Sequence, residues 1–376
     1  MSDGFDSTSK LPPAHRAPGQ SLPDLASAAP PVMQPPERES MKLTEEPPQV
    51  AASSASAELS RGVDSSPFAD FKRRADMIKQ EVGRIFMGAD TTVEFLLISL
   101  FARGHILLEG VPGVAKTTLV RTFAETLQVS YRRIQFTPDL LPSDITGVYL
   151  PNLQTQEFNL RQGPIFANVV LGDEINRAPA KTQSALLEAM QERQVTIEGT
   201  THKLPSPFLV LATQNPLEQE GVYALPEAQL DRFLLKVVIG YPSFEQERRV
   251  LMTHQRKTEP VKPLLEPGEI ERLRELVDNI HVHEELVDYI IKLARFTRDH
   301  AQVELGASPR AALALLKASK ARAALHGRDY VLPDDVAALV HSVLAHRVIL
   351  YPDAELGGVL PSHIIRQALQ KVKYSK

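Results

Sequence analysis

Gly110-Val111-Pro112-Gly113-Val114-Ala115-Lys116-Thr117 follows directly on the apolar run His105-Ile106-Leu107-Leu108-Glu109. A buried strand that turns through a glycine-rich loop into a helix is the local geometry that holds a nucleoside triphosphate. Backbone N–H groups freed at Gly110 and Gly113 converge on phosphate oxygens, and the positive end of the following helix adds to the attraction. Lys116 is spaced to reach the β- and γ-phosphates, and the Thr117 hydroxyl to bind Mg2+. With Thr118, the run 110–118 supplies the candidate nucleotide-binding residues. Ala115 breaks the G-x-x-x-x-G-K-[ST] pattern where its last glycine belongs. A residue with a Cβ is strained in the left-handed region, so Ala115 is expected to keep a negative φ.

Downstream, Asn168-Val169-Val170-Leu171-Gly172-Asp173-Glu174 is an apolar strand ending in two carboxylates. Asp173 is placed to hold Mg2+ opposite Thr117, which leaves Glu174 to orient and polarise an attacking water. Such chemistry rests on positioning and electrostatic stabilisation, so few groups suffice. Ala212-Thr213-Gln214-Asn215-Pro216 ends another apolar run with an amide. Asn215 alone reads as a turn residue before proline; beside the acid-bearing strand it becomes a candidate contact to the γ-phosphate or the lytic water. Arg232 sits after a short helical stretch and Arg310 opens a later helix. By spacing, each guanidinium is as readily a phosphate contact as a surface ion pair.

Elements that must position these groups alternate along the chain. Helical spacing covers 68–86 (Phe71, Ala75, Ile78, Val82, Ile85), and a more apolar helix covers 90–102. Short buried strands are expected at Ile106–Glu109, Arg133–Phe136, Val169–Asp173, Leu209–Thr213 and Leu234–Val238, with helices at 116–128, 178–192 and just before Arg232. This alternation predicts an α/β fold: a parallel sheet covered on both faces, with ligands at the carboxyl ends of its strands. Hairpins at 147–162 and 194–204 interrupt it, either as loops that grip a substrate or neighbour or as decoration. After Tyr241-Pro242-Ser243 the pattern turns helical, over 244–256, 268–279, 284–300, 309–325, 334–345 and 362–372. Ser308-Pro309 and Pro333-Asp334-Asp335 mark two starts. The expected organisation is a tail over 1–66, an α/β core over 67–242 and a helical domain over 243–376.

Bulk properties narrow the class. The 376 residues carry a formal charge of −4 and no cysteine, which excludes disulfides and thiolate metal sites and fits a reducing cytoplasm. No apolar run approaches a membrane span, and the start lacks a signal-peptide pattern. Residues 1–66 hold nine acidic and five basic residues, so the remaining 310 balance at 37 of each. A balanced body without tryptophan argues against nucleic acid as a partner. The Pro/Ser/Ala-rich tail cannot bury enough apolar area to offset its ordering entropy and is expected to be disordered.

Taken together, Gly110–Thr117, Leu171–Gln183 with its Asp-Glu-Ile-Asn-Arg-Ala-Pro run, Ala212–Pro216, Leu225–Phe233 and Gly306–Arg310 resemble the MoxR family of AAA+ ATPases. Thr137–Asp144 and Gly163–Phe166 extend the resemblance, which runs from about Phe68 to the C-terminus. It implies a P-loop core with Walker A and Walker B motifs, inserted hairpins and a C-terminal helical lid. Ala115 is a variant that family carries. Glu174 becomes the catalytic carboxylate, Asn215 a sensor, Arg232 an arginine finger acting across a subunit boundary, and Arg310 a reporter of nucleotide state from the lid. Ile85–Gly88 would border the adenine. The implied function is Mg2+-dependent ATP hydrolysis by a ring, commonly a hexamer, driving chaperone-like maturation of a client beside a von Willebrand A domain protein. A magnesium-chelatase-type subunit, a nucleotide-gated binding module and a nucleic-acid motor are the alternatives.

Overall fold

The computed structural model of the chain describes residues 66–86, 90–110, 113, 115–215, 223–241, 243–254 and 259–374. The expected tail, apart from Ser66, therefore lies outside the described residues, as do Met87 and Gly88 before the loop and Val111, Pro112 and Val114 within it.

Two helices come first. α1 (Pro67–Ile85) begins on a proline, whose missing N–H has no intrahelical partner to lose there, and turns Phe71, Ala75, Ile78 and Val82 inward. α2 (Asp90–Phe101) is apolar nearly all round and is buried from Leu96 to Phe101. The alternating region follows as β1 (Ile106–Gly110), α3 (Lys116–Thr126), β2 (Tyr131–Gln135), α4 (Pro142–Thr146), β3 (Gly147–Asn152), β4 (Glu157–Gln162), β5 (Val169–Asp173) and α5 (Ala180–Glu192). β6 (Gln194–Ile197), β7 (Thr200–Lys203), β8 (Leu209–Gln214), α6 (Glu227–Leu230) and β9 (Leu235–Ile239) complete it. β3–β4 and β6–β7 are the two expected hairpins.

The five apolar strands form one parallel sheet in the order β2-β5-β8-β1-β9. Alternate side chains face opposite ways. Ile106 and Leu108 join a core with α1–α3 and the C-terminal helices, whereas Leu107, Val170 and Val210 join a second core with Leu186, Leu187 and Met190 of α5. Because β1 pairs with β8 and β9 while β2 returns at the far edge, the chain reverses across the sheet at the carboxyl end of β1. That reversal opens the crevice where such sheets take ligands.

The last third runs α7 (Phe244–His254), α8 (Pro267–Asp278), α9 (Glu284–Arg298), β10 (Val303–Leu305), α10 (Pro309–Leu325), α11 (Pro333–Leu344), β11 (Ile349–Leu350), α12 (Pro352–Leu356) and α13 (Pro361–Lys371). Ser308 caps α10, its Oγ accepting the Ala311 N–H at 3.2 Å. α11 starts differently: Asp335, inside the helix, accepts the Leu332 N–H at 2.8 Å. β10 and β11 form an antiparallel pair that helical periodicity does not show, since runs of three and two residues are too short to carry a period. α1 and α2 pack against α10, and Arg322 of α10 lies 3.5 Å from Glu94 of α2. The described residues thus form one compact unit. Among them, no helix is long and apolar enough to cross a membrane.

Candidate functional site: a phosphate loop and an arginine cluster at opposite ends of the sheet

At the carboxyl end of β1 the backbone must come close to β9. A Cβ on Gly110 would fall 2.5 Å from the Ile239 carbonyl oxygen, so glycine alone lets the pairing persist to the loop. Gly113 has φ +84°. Ala115 has φ +54° and ψ +32°, which overturns the expected negative φ. Its carbonyl already accepts the Leu119 N–H at 3.1 Å, so the reversal into α3 has to be completed at residue 115. An alanine held there costs about 1 kcal/mol.

Lys116, the first residue of α3, donates from Nζ to the Gly110 carbonyl at 2.6 Å. Partial burial lowers its pKa, while Asp173 and Glu174 oppose that shift. Thr117 Oγ1 lies 3.5 Å from Asp173 Oδ2, as the strand-end carboxylate and the helix-start hydroxyl were expected to lie. Thr213 on β8 ties this edge together: its Oγ1 donates to Asp173 Oδ1 at 2.6 Å and accepts the Glu174 N–H at 2.9 Å. Glu174 is itself left-handed, φ +58°. Its Oε2 accepts from Gln135 Nε2 at 2.9 Å and Arg177 Nη1 at 3.1 Å. Arg133 on β2 places Nε and Nη2 at 3.0 and 2.6 Å from Asp173 Oδ2. Asn215 is buried at the end of β8, and its carbonyl receives Asn176 Nδ2 at 3.4 Å. Ile85, Thr117, Thr118, Arg121 and Pro260 line a neighbouring cleft of about 370 Å³. The hydroxyl of Thr117 and the carboxylate of Asp173 are hard oxygen donors of the kind Mg2+ prefers.

Arg232 and Arg310 are elsewhere. The Leu234 N–H donates to the carbonyl of His105, the residue before β1, so Arg232 belongs to the amino end of the sheet. β1 is five residues long, which puts the phosphate loop about 13 Å further along the strand. There Arg232 Nη1 donates to the Leu187 carbonyl at 2.7 Å. Arg310, expected to report on nucleotide from the lid, lies 3.6 Å from Asp231 Oδ2, beside Arg232. Arg347 approaches the same carboxylate at 2.8 Å. Burial draws the Arg347 pKa down to about 10 against the pull of Asp231. Arg103, Arg193, Arg232, Arg310, Lys317 and Arg347 line, with Asp231, a cleft of about 270 Å³.

The structure therefore brings Lys116, Thr117, Asp173, Glu174 and Asn215 together and separates Arg232 and Arg310 from them. Sequence reasoning missed Arg133, Gln135, Arg177 and Thr213 around the two acids, and Asp231 and Arg347 around the two arginines. Strand pairing carried the signal for the first group, since β2–β5 register sets Gln135 opposite Asp173. Nothing local marks Arg347.

A parallel sheet with a glycine-rich loop after β1, two acids after β5, inserted hairpins and a helical C-terminal region is the P-loop core and lid of an AAA+ ATPase. Residues 105–235 match the ATPase family associated with various cellular activities (AAA), and residues 295–368 match the AAA lid domain. Over 301 residues the chain is 49% identical to Chaperone MoxR1 of Mycobacterium tuberculosis, covering 78% of this chain and 80% of that one. YeaC of Bacillus subtilis is 48% identical over 78% of this chain and 92% of its own length. The crystal structure of a Cytophaga hutchinsonii protein assigned as an ATPase superposes with TM-score 0.78 at 42% identity, covering 82% of this chain and 97% of that one. The chain belongs to the MoxR family of AAA+ ATPases.

Proposed function

We propose that the chain hydrolyses ATP at sites shared between subunits of a closed ring, a hexamer, and uses the cycle to remodel a client protein. The separation of Arg232 and Arg310 from the phosphate loop carries this reading. Guanidiniums at the amino end of the sheet cannot meet the γ-phosphate held at the carboxyl end of the same sheet, but a head-to-tail neighbour brings the two ends together, and such contacts close into rings. In this reading Lys116 and the loop N–H groups bind the phosphates, with Thr118 and the cleft beside Ile85 next to them. Glu174, held by Gln135 and Arg177, orients the lytic water, and Asn215 contacts the γ-phosphate or that water. Arg232 and Arg310 of the adjoining subunit neutralise charge on the transferring phosphoryl group. Mg2+, when bound by Thr117 and Asp173, supplies charge neutralisation on the phosphate oxygens.

The core over 67–242 and the lid over 243–376 would then act as one lever that hydrolysis releases. The chaperone role named for the MoxR1 relative supports the client assignment. The hairpins suit a client grip: Leu153 and Phe158 of the β3–β4 hairpin are 92% and 68% exposed. Tyr149 Oη and His202 Nε2, 3.1 Å apart, tie it to the β6–β7 hairpin. A von Willebrand A domain protein is the expected companion.

The test mixes two inactive proteins. Lys116→Ala keeps Arg232 but loses its nucleotide, and Arg232→Ala keeps its nucleotide but lacks the finger. ATP turnover should return on mixing, and a silent mixture would remove the shared-site reading.

A further inference from the structure

Arg232 is flanked by two carbonyls, those of Asp231 and Phe233, and one lid side chain holds both. Arg347 Nη2 donates to the Asp231 carbonyl at 3.2 Å and to the Phe233 carbonyl at 2.7 Å. Its Nε reaches Asp231 Oδ1 at 2.8 Å, and its Nη1 the Val343 carbonyl of α11 at 2.6 Å. His346 Nε2 adds a second donor to the Phe233 carbonyl at 3.2 Å. The Arg347 side chain is 3% exposed, so it is unavailable to a phosphate and held within this seam. The other oxygen of Asp231 faces Arg310.

We infer that Arg347 is a positioning residue: it clamps the backbone on both sides of Arg232 to the lid, and Asp231 holds Arg310 in step with it. The two phosphate-facing arginines then move as a single body whenever the lid moves. The planar guanidinium suits this role because its fixed fork meets four acceptors at set angles, which a single ammonium cannot do. Loss of that register matters because a misplacement of about 1 Å at a catalytic group costs on the order of 10²-fold in rate. The inference rests on the shared-site reading above.

The mixed ring separates the two. Each kind of subunit in it contributes one half of the shared site, since the Lys116→Ala protein donates the finger and the Arg232→Ala protein accepts it. Arg347→Lys on the donor should lower the recovered turnover by about tenfold or more. On the acceptor, which has no finger to position, it should leave turnover within about twofold. A general folding defect would lower both placements alike, so equal losses, or no loss on the donor, overturn the clamp. Asp231→Asn keeps the carbonyl bonds of Arg347 but weakens the hold on Arg310. It should show the same asymmetry at about threefold to tenfold, and it decides the matter if Arg347→Lys fails to fold. If the parent mixture is inactive before either change, the shared site itself is wrong and the clamp falls with it.

Discussion

The two ends of the central sheet are built around different charged groups and with different permanence. At the carboxyl end, Asp173 and Glu174 are covered by Arg133, Gln135 and Arg177, groups a triphosphate and its metal can displace. At the amino end, Asp231 pairs with Arg310 and Arg347 in a cleft also lined by Arg103, Arg193, Arg232 and Lys317, and the buried Arg347 is locked to backbone. On the proposed reading, one end is a ligand site whose contacts exchange and the other a fixed presentation of positive charge. On that same shared-site reading, neither is complete within one chain, and a single sheet serves two different nucleotides in an assembly.

The sharpest way to break this contrast is to change each end and ask which quantity moves. Lys116→Ala should abolish ATP binding by calorimetry, and retained affinity would mean the loop is not the phosphate site. Arg232→Ala should leave ATP affinity within about threefold while kcat falls about 10³-fold, the size of an arginine-finger effect. A matching loss of affinity would place Arg232 on its own chain's nucleotide.

The amino end also depends on a dry interior. Burial of its ring draws the pKa of His105 down to about 4, against the opposing pull of the Met190 carbonyl that its Nε2 meets at 3.0 Å. The folded state then binds fewer protons than the unfolded chain between about 4 and 6.5, so this stability is full above 6.5 and lost as pH falls. Urea unfolding should show about 2 kcal/mol lost to this group between pH 7 and pH 5. His105→Gln should flatten that slope; an unchanged slope would show that His105 titrates normally.

Two smaller effects refine the carboxyl end. Arg133 and Thr117 converge on the same oxygen of Asp173, so Arg133→Ala should lower the Mg2+ concentration for half-maximal turnover. Because Arg133 is half exposed, the gain should stay below about 1 kcal/mol, roughly fivefold. A rise instead would make Arg133 a support for the metal site. Ala115→Gly should raise unfolding free energy by up to about 1 kcal/mol by relieving the left-handed alanine, less whatever glycine's unfolded-state entropy offsets. Destabilisation would show that the strain is small.

How far the residues alone foretell this molecule differs between its ends. Val169–Asp173 is readable as a strand ending in two acids because a buried run of β-branched and small residues has few other uses. The loop before Lys116 is readable because glycines and a lysine at that spacing repeat one physical solution to phosphate binding. The helix at Pro309 is readable from its cap, where Ser308 accepts the Ala311 N–H. Ala115 defies its local preference because a steric cost of about 1 kcal/mol is overridden by the turn that must close there. Five-residue α4 and the β10–β11 pair are too short to register in any period.

Local pattern therefore determined the elements, the phosphate loop and the acids beside it, since each is made by neighbours in the chain. Only the packing of α10 and the segment after α11 against the strand start decided that Arg310 stands beside Arg232, and that Arg347 braces both. Those contacts join residues more than seventy positions apart through one carboxylate. No periodicity or motif encodes which end of a sheet a distant helix will cover; it follows from where the remaining apolar surface can be buried.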